Sequence, residues 1–163
     1  VYHEQFRLML AERYERISAS VINSGVSGDT VSGMLKRLER DLLRYDPNLV
    51  LLHASLNGPE DVDVYARDLE EIILRIQGKT EAEIVVITPN LILDEAMGTL
   101  EERVEVMLDC AQKYHLAVAH QYALWKVLKQ SGFNIRMLLS NGLNHPNAFG
   151  HSIAALKLLK PMG

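Results

Sequence analysis

Val21-Ile22-Asn23-Ser24-Gly25-Val26-Ser27-Gly28-Asp29-Thr30 is the stretch on which the fold turns. Two β-branched residues lead into a run of small residues with two glycines, and Asp29 or Thr30 can cap whatever follows. The spacing predicts a short strand over 17–22, a tight turn, and then a helix over 31–45 whose apolar positions include Met34, Leu35, Leu38, Leu42 and Leu43. Strand, glycine turn, helix is a βα unit.

Moving outward, the same alternation recurs. Before the turn, Phe6, Leu8, Met9, Leu10 and Tyr14 among Glu and Arg predict a helix over 6–14. After it, Asp46-Pro47-Asn48 stops the helix, and the continuous apolar run Leu49-Val50-Leu51-Leu52 has the pattern of a parallel strand buried on both faces. A polar turn (Ser55-Leu56-Asn57-Gly58) precedes a helix over 62–76, with Gly78 as its expected stop. Residues 84–87 predict a strand ending in Thr88-Pro89-Asn90, 101–114 a helix, 116–119 a short strand and 122–130 a helix, while 91–100 suits no single element. Strands and helices alternating at these lengths predict an α/β fold, a three-layer, doubly wound, flavodoxin-like and mostly parallel sheet, in a single domain over 1–163.

Composition narrows the function classes. A chain of 163 residues that is 48% hydrophobic and 23% charged can bury a substantial core. Its net charge of -4, with no run of Lys or Arg, argues against nucleic acid or an anionic membrane as the main partner. The lone Cys110 cannot form an internal disulfide, and no apolar run reaches the ~20 residues of a membrane span. A soluble protein, cytoplasmic rather than secreted, is the expectation. Because the chain opens on Val1-Tyr2-His3 already in helical pattern, a segment upstream of Val1 is expected as well.

In a doubly wound sheet the ligand crevice lies outside the carboxyl ends of the strands. The turns at 25–30, 55–58 and 88–90 belong there. The loop Ser140-Asn141-Gly142-Leu143-Asn144-His145-Pro146-Asn147-Ala148-Phe149-Gly150-His151 is a candidate fourth, delivering His145 ahead of a last helix over 153–159. No HExxH or CxxC occurs, and His115 and His120 fall on opposite faces of their strand, so no metal or other cofactor is expected. Glu60, Asp61 and Asp63 suit a solvated helix start, and Trp125 a place in the core.

Taken together, these blocks resemble the SGNH or GDSL hydrolase superfamily, serine esterases and lipases on a flavodoxin-like sheet. Residues 21–30 look like the family's second block, 50–58 like its third and 145–151 like its fifth. The resemblance implies that the backbone N–H of Gly28 and the side-chain amide of Asn57 form an oxyanion hole and that His145 is the general base. It implies a small-molecule ester as substrate, with small acyl groups such as an acetyl on a carbohydrate among the candidates, cleaved through an acyl-serine intermediate. The residue types suit the roles. Glycine lets the backbone approach a carbonyl, an amide NH₂ donates without bringing a charge, and a neutral imidazole can take a proton and return it.

Two features depart from the family pattern. The first block, Gly-Asp-Ser at the end of the first strand, is absent, so the nucleophile and the first strand are expected upstream of this chain. Gly28-Asp29-Thr30 mimics that motif with Thr30 as nucleophile, but Asn23, Gly25 and Gly28 fit the second block better; Ser27 and Ser55 are weaker substitutes. Secondly, Gly142 stands where the family places an Asp three residues before the histidine, which leaves Asn141 as the position that could orient the ring. The alternative to an esterase is a non-catalytic relative that keeps the crevice to bind a ligand or partner.

Overall fold

The computed structural model describes residues 1–14, 18–54, 56–57, 61–92 and 99–159. Its elements in chain order are α1 (Tyr2–Arg13), α2 (Val31–Asp41), a 3₁₀ turn (Leu43–Tyr45), β1 (Leu49–Leu52), α3 (Val62–Lys79), β2 (Glu83–Ile87), α4 (Leu100–Lys113), β3 (Ala117–Ala119), α5 (Gln121–Gln130), a second 3₁₀ turn (Ile135–Leu138) and α6 (Ala148–Leu159). Among the described residues the sheet has the order β1-β2-β3. β1 and β2 run parallel, with Leu49 opposite Glu83 and Leu52 opposite Val86. This is the expected α/β fold with a small parallel sheet.

The chain folds as two compact units. One comprises residues 24–89 and 97–118. Its core joins β1 and β2 (Val50, Leu52, Ile84, Val86) to one face each of α2, α3 and α4 through Val31, Leu38, Leu69, Ile72, Ile73, Ile76 and Met107. Leu38 is among the apolar positions read from the sequence, and the burial of these residues is what holds amphipathic helices on a sheet. The other unit comprises residues 1–23, 90–96 and 119–163. Here α1 packs on α6, and α5 and α6 both meet the second 3₁₀ turn. Trp125, Leu138 and Leu158 are fully buried, so Trp125 is the core residue the sequence predicts.

Four expectations are corrected. The strand over 17–22 does not form: residues 18–23 are irregular, with Val21 and Ile22 exposed, and Ile17 lies outside the described residues. A β-branched run without a ladder partner has nowhere to place its N–H and C=O groups except water. α2 ends at Asp41 rather than Tyr45, and a 3₁₀ turn completes the segment. α3 passes through Gly78 and ends at Lys79, where Thr80 turns extended and gives both its N–H and its hydroxyl to the Ile76 carbonyl. The last helix starts at Ala148, five residues before Ile153, because Asn147 Oδ1 accepts the N–H groups of Phe149 and Gly150 and so caps it. His151 is therefore helical. Most of the unassigned stretch, 93–98, and the Ser55 and Gly58 positions of the third block lie outside the described residues.

Candidate active site

Gly28 and Asn57 belong to the first-described unit, Asn141 and His145 to the other. Gly28 is the third residue of a turn closed by the Asp29 N–H on the Val26 carbonyl, and its φ of +73° lies in the left-handed region that favours glycine. Nothing lies within 4 Å of where a Cβ would sit, so that side of the turn is open to an approaching group.

The turn is clamped to α2. Asp29 accepts the Thr30 N–H on Oδ1 and pairs through Oδ2 with Arg37 Nε at 2.7 Å, while Arg37 Nη1 reaches the Ser24 carbonyl at 2.6 Å and Asp41 at 3.1 Å. Ser24 Oγ closes the circuit on the Asp41 carbonyl at 2.6 Å. Burial works against the Arg37 charge, but the hydrogen bonds and charges of Asp29 and Asp41 outweigh it and hold the guanidinium above its ordinary value. Arg40 first, then Arg37, hold the Asp41 carboxyl well below the usual carboxylate range. Gly33 lets this happen, since a Cβ there would overlap Asp29 Oδ1. Thr30 is committed as the N-cap of α2, accepting the Gly33 N–H at 3.2 Å.

Asn57 lies exposed in a bend after β1, and among the described residues its amide is bonded to nothing. An uncommitted NH₂ on a strand exit is able to donate to a substrate oxygen.

His145 is held by its backbone. Asn141 Oδ1 accepts the N–H groups of Leu143, Asn144 and His145 at 3.0–3.1 Å, and its Nδ2 gives to Asn144 Oδ1. The Ser140 N–H and hydroxyl both reach the His145 carbonyl, at 2.7 and 3.1 Å. Pro146 bridges to Leu139 in antiparallel fashion. Below the loop, Asn147 gives its N–H to the Leu138 carbonyl and its Nδ2 to the Met137 carbonyl, and a Cβ on Gly150 would meet the Leu138 carbonyl at 2.6 Å. The His145 side chain itself is exposed. Asn141 thus sits beside His145 as the sequence suggests, but it grips the main chain and not the ring.

The residues that build these turns, Arg37, Gly33, Asn90, Asn144 and Asn147, were not legible as such. Arg37 lies two helical turns past Asp29, a spacing common to any helix, and Asn90 meets Asn144 across 54 positions.

One unit thus offers a glycine turn ahead of α2 and an asparagine after β1 of a small parallel sheet, and the other a histidine in an asparagine-held loop before the last helix. The family model for the GDSL-like lipase/acylhydrolase family matches residues 1–153, and the chain belongs to that family. Among solved structures, an acetylxylan esterase from Geobacillus stearothermophilus superposes with a TM-score of 0.87 at 21% identity, over 99% of this chain and 80% of that one. An α/β hydrolase from the metagenome of Lake Arreo, Spain, does so with a TM-score of 0.85 at 19% identity, over 99% and 81%. At these identities the likeness is one of fold. No curated protein matches the sequence.

Proposed function

We propose that this chain carries the oxyanion donors and the general base of a carboxylic ester hydrolase acting on small acyl esters, acetylated carbohydrates among them. The observation that carries the reading is the His145 loop in a member of this family: the backbone on both sides of the residue is fixed while the imidazole is left to solvent. That is the arrangement a proton-transfer group needs, since its position must be constant and its ring accessible. Family membership supports ester chemistry, and the acetylxylan esterase among the structural neighbours supports an acetyl group.

In the proposed reaction a serine hydroxyl adds to the ester carbonyl carbon while His145 takes its proton. The Gly28 N–H and Asn57 amide receive the negative charge that develops on the carbonyl oxygen. Collapse breaks the bond to the alcohol oxygen, which leaves with the proton from the imidazolium. Water then adds to the acyl-serine by the same route and releases the acid. The Gly-Asp-Ser block that would carry that serine is not in this sequence.

One observation favours a second reading, a non-catalytic relative that binds a ligand. Catalytic variants of the Geobacillus esterase carry alanine for a serine, an aspartate and a histidine, the last two three positions apart. In this chain Gly142 stands three before His145.

The test is covalent labelling of the full-length protein with a serine-reactive fluorophosphonate, together with p-nitrophenyl acetate turnover. An esterase is labelled, and His145→Ala lowers kcat by at least ~10²-fold, the scale of losing a general base. An unlabelled protein whose turnover does not respond to His145→Ala is not one.

A further inference from the structure

We infer that Asn90 is a positioning residue for His145, and that it fixes the loop carrying the base to the 90–92 segment of the same compact unit. The inference rests on the reading of His145 as the base.

Three main-chain groups define where the His145 Cα sits: the preceding carbonyl of Asn144, the His145 N–H and the His145 carbonyl. Asn141 holds the N–H, and Ser140 holds the carbonyl. Both partners belong to the loop itself, so they give it a shape without giving it a place. The third group is held from elsewhere. Asn90 Nδ2 donates to the Asn144 carbonyl at 3.0 Å and to the Leu91 carbonyl at 3.1 Å.

Asn90 is suited to that task. It follows Thr88 and Pro89 directly after β2, and it is 1% exposed, with Thr88 wholly buried beside it. Burial keeps water from competing for the two N–H groups, and the contact to Leu91 orients the amide on its own backbone. Losing the donor leaves the half-buried Asn144 carbonyl without the partner that holds it, and the loop is then free to shift. A displacement of about 1 Å at a catalytic group can cost ~10²-fold in rate.

The test uses Asn90→Leu and Asn90→Asp in the full-length protein, each alone and with His145→Ala. Both substitutions remove the donor, and Asp keeps the volume. Positioning predicts that kcat falls at least tenfold with KM within about twofold, at a temperature where circular dichroism and the unfolding midpoint show a fully folded protein. It also predicts that Asn90→Asp costs nothing further once His145 is alanine, because the two act as one unit. Equal losses in both backgrounds, an unchanged kcat, or loss of the fold in both variants would make Asn90 a residue of the core and overturn the assignment. If His145→Ala alone leaves turnover intact, it is the base itself that is wrong, and Asn90 falls with it.

Discussion

At the scale of the residue, His145 is defined by what touches its backbone, and Gly142 by what it lacks. Gly142 has a φ of +68° and open space where a Cβ would go. An aspartate there is sterically possible in the left-handed region at a cost of about 1 kcal/mol, since Asp is among the few side chains that visit it. A carboxylate three residues before the base would stabilise the imidazolium that forms during proton transfer. Gly142→Asp is therefore expected to lower stability by ~1 kcal/mol in urea denaturation and to raise kcat roughly tenfold, about 1.4 kcal/mol of transition-state stabilisation. A kcat that stays level would mean the loop works with its backbone alone. Gly28 gives the opposite case: its φ of +73° is turn geometry, so Gly28→Ala is expected to cost about 1–2 kcal/mol. The same conformation that makes it a candidate oxyanion donor also makes it a structural glycine. Sequence could read both functions from one Gly, but could not separate them.

At the scale of the element, α2 shows which side of the sequence reading was strong. Its apolar spacing, a cap at Asp29 or Thr30 and the turn before it were legible, because they are local, and the structure gives the cap to Thr30. The strand expected before that turn was not, because a strand is made by its neighbours. Likewise the early start of α6 depends on Asn147, whose capping role is readable only once Pro146 is known to end a bridge to Leu139. The glycines of two helices sharpen the point. At Gly33 a Cβ would overlap the Asp29 carboxylate, so Gly33→Ala must break the pair with Arg37; at Gly78 a Cβ meets nothing within 4 Å. Alanine is worth up to ~1 kcal/mol over glycine inside a helix, and a hydrogen bond to a charged group ~1.5–3 kcal/mol. Gly78→Ala is thus expected to stabilise by ~0.5–1 kcal/mol and Gly33→Ala to destabilise by about 1 kcal/mol in the same denaturation assay. If both stabilise, the Arg37 clamp contributes nothing. Between α3 and α4, the wholly buried Tyr65 hydroxyl and Arg103 Nε have no hydrogen-bond partner among the described residues. Burial pushes the Tyr65 phenol up and the Arg103 guanidinium down. Tyr65→Phe removes an unsatisfied polar group at constant shape, so its unfolding midpoint is expected to rise or hold, whereas a hidden hydrogen bond would make it fall.

At the scale of the whole molecule, the titrating groups act in the same direction. Burial lowers the values of His3, His120 and His151 below their ordinary 6.5. His151 is the clearest case: its ring stacks on Tyr2 at 6.1 Å where α1 packs on α6, and its buried Nδ1 has no hydrogen-bond partner among the described residues. Among carboxylates, the Ser32 hydroxyl first and then Arg67 hold Asp68 below its ordinary 3.8, and Lys113 and Tyr114 do the same for Glu70 from 4.5. A histidine with a lowered folded-state value binds fewer protons folded than unfolded, so stability rises with pH through that window and is lost as pH falls below about 6.5. Carboxylates with lowered values contribute stability above their unfolded values, and it is lost as pH falls below about 4 through the folded ones. Acid therefore weakens the fold in two steps, histidines first. His151→Gln removes the ring that must charge in a buried place, so the urea midpoint of this variant is expected to fall less between pH 7 and 5 than that of the parent, while both decline alike below pH 4. An unchanged drop between pH 7 and 5 would move the acid sensitivity to His3 and His120, whose values are lowered for the same reason.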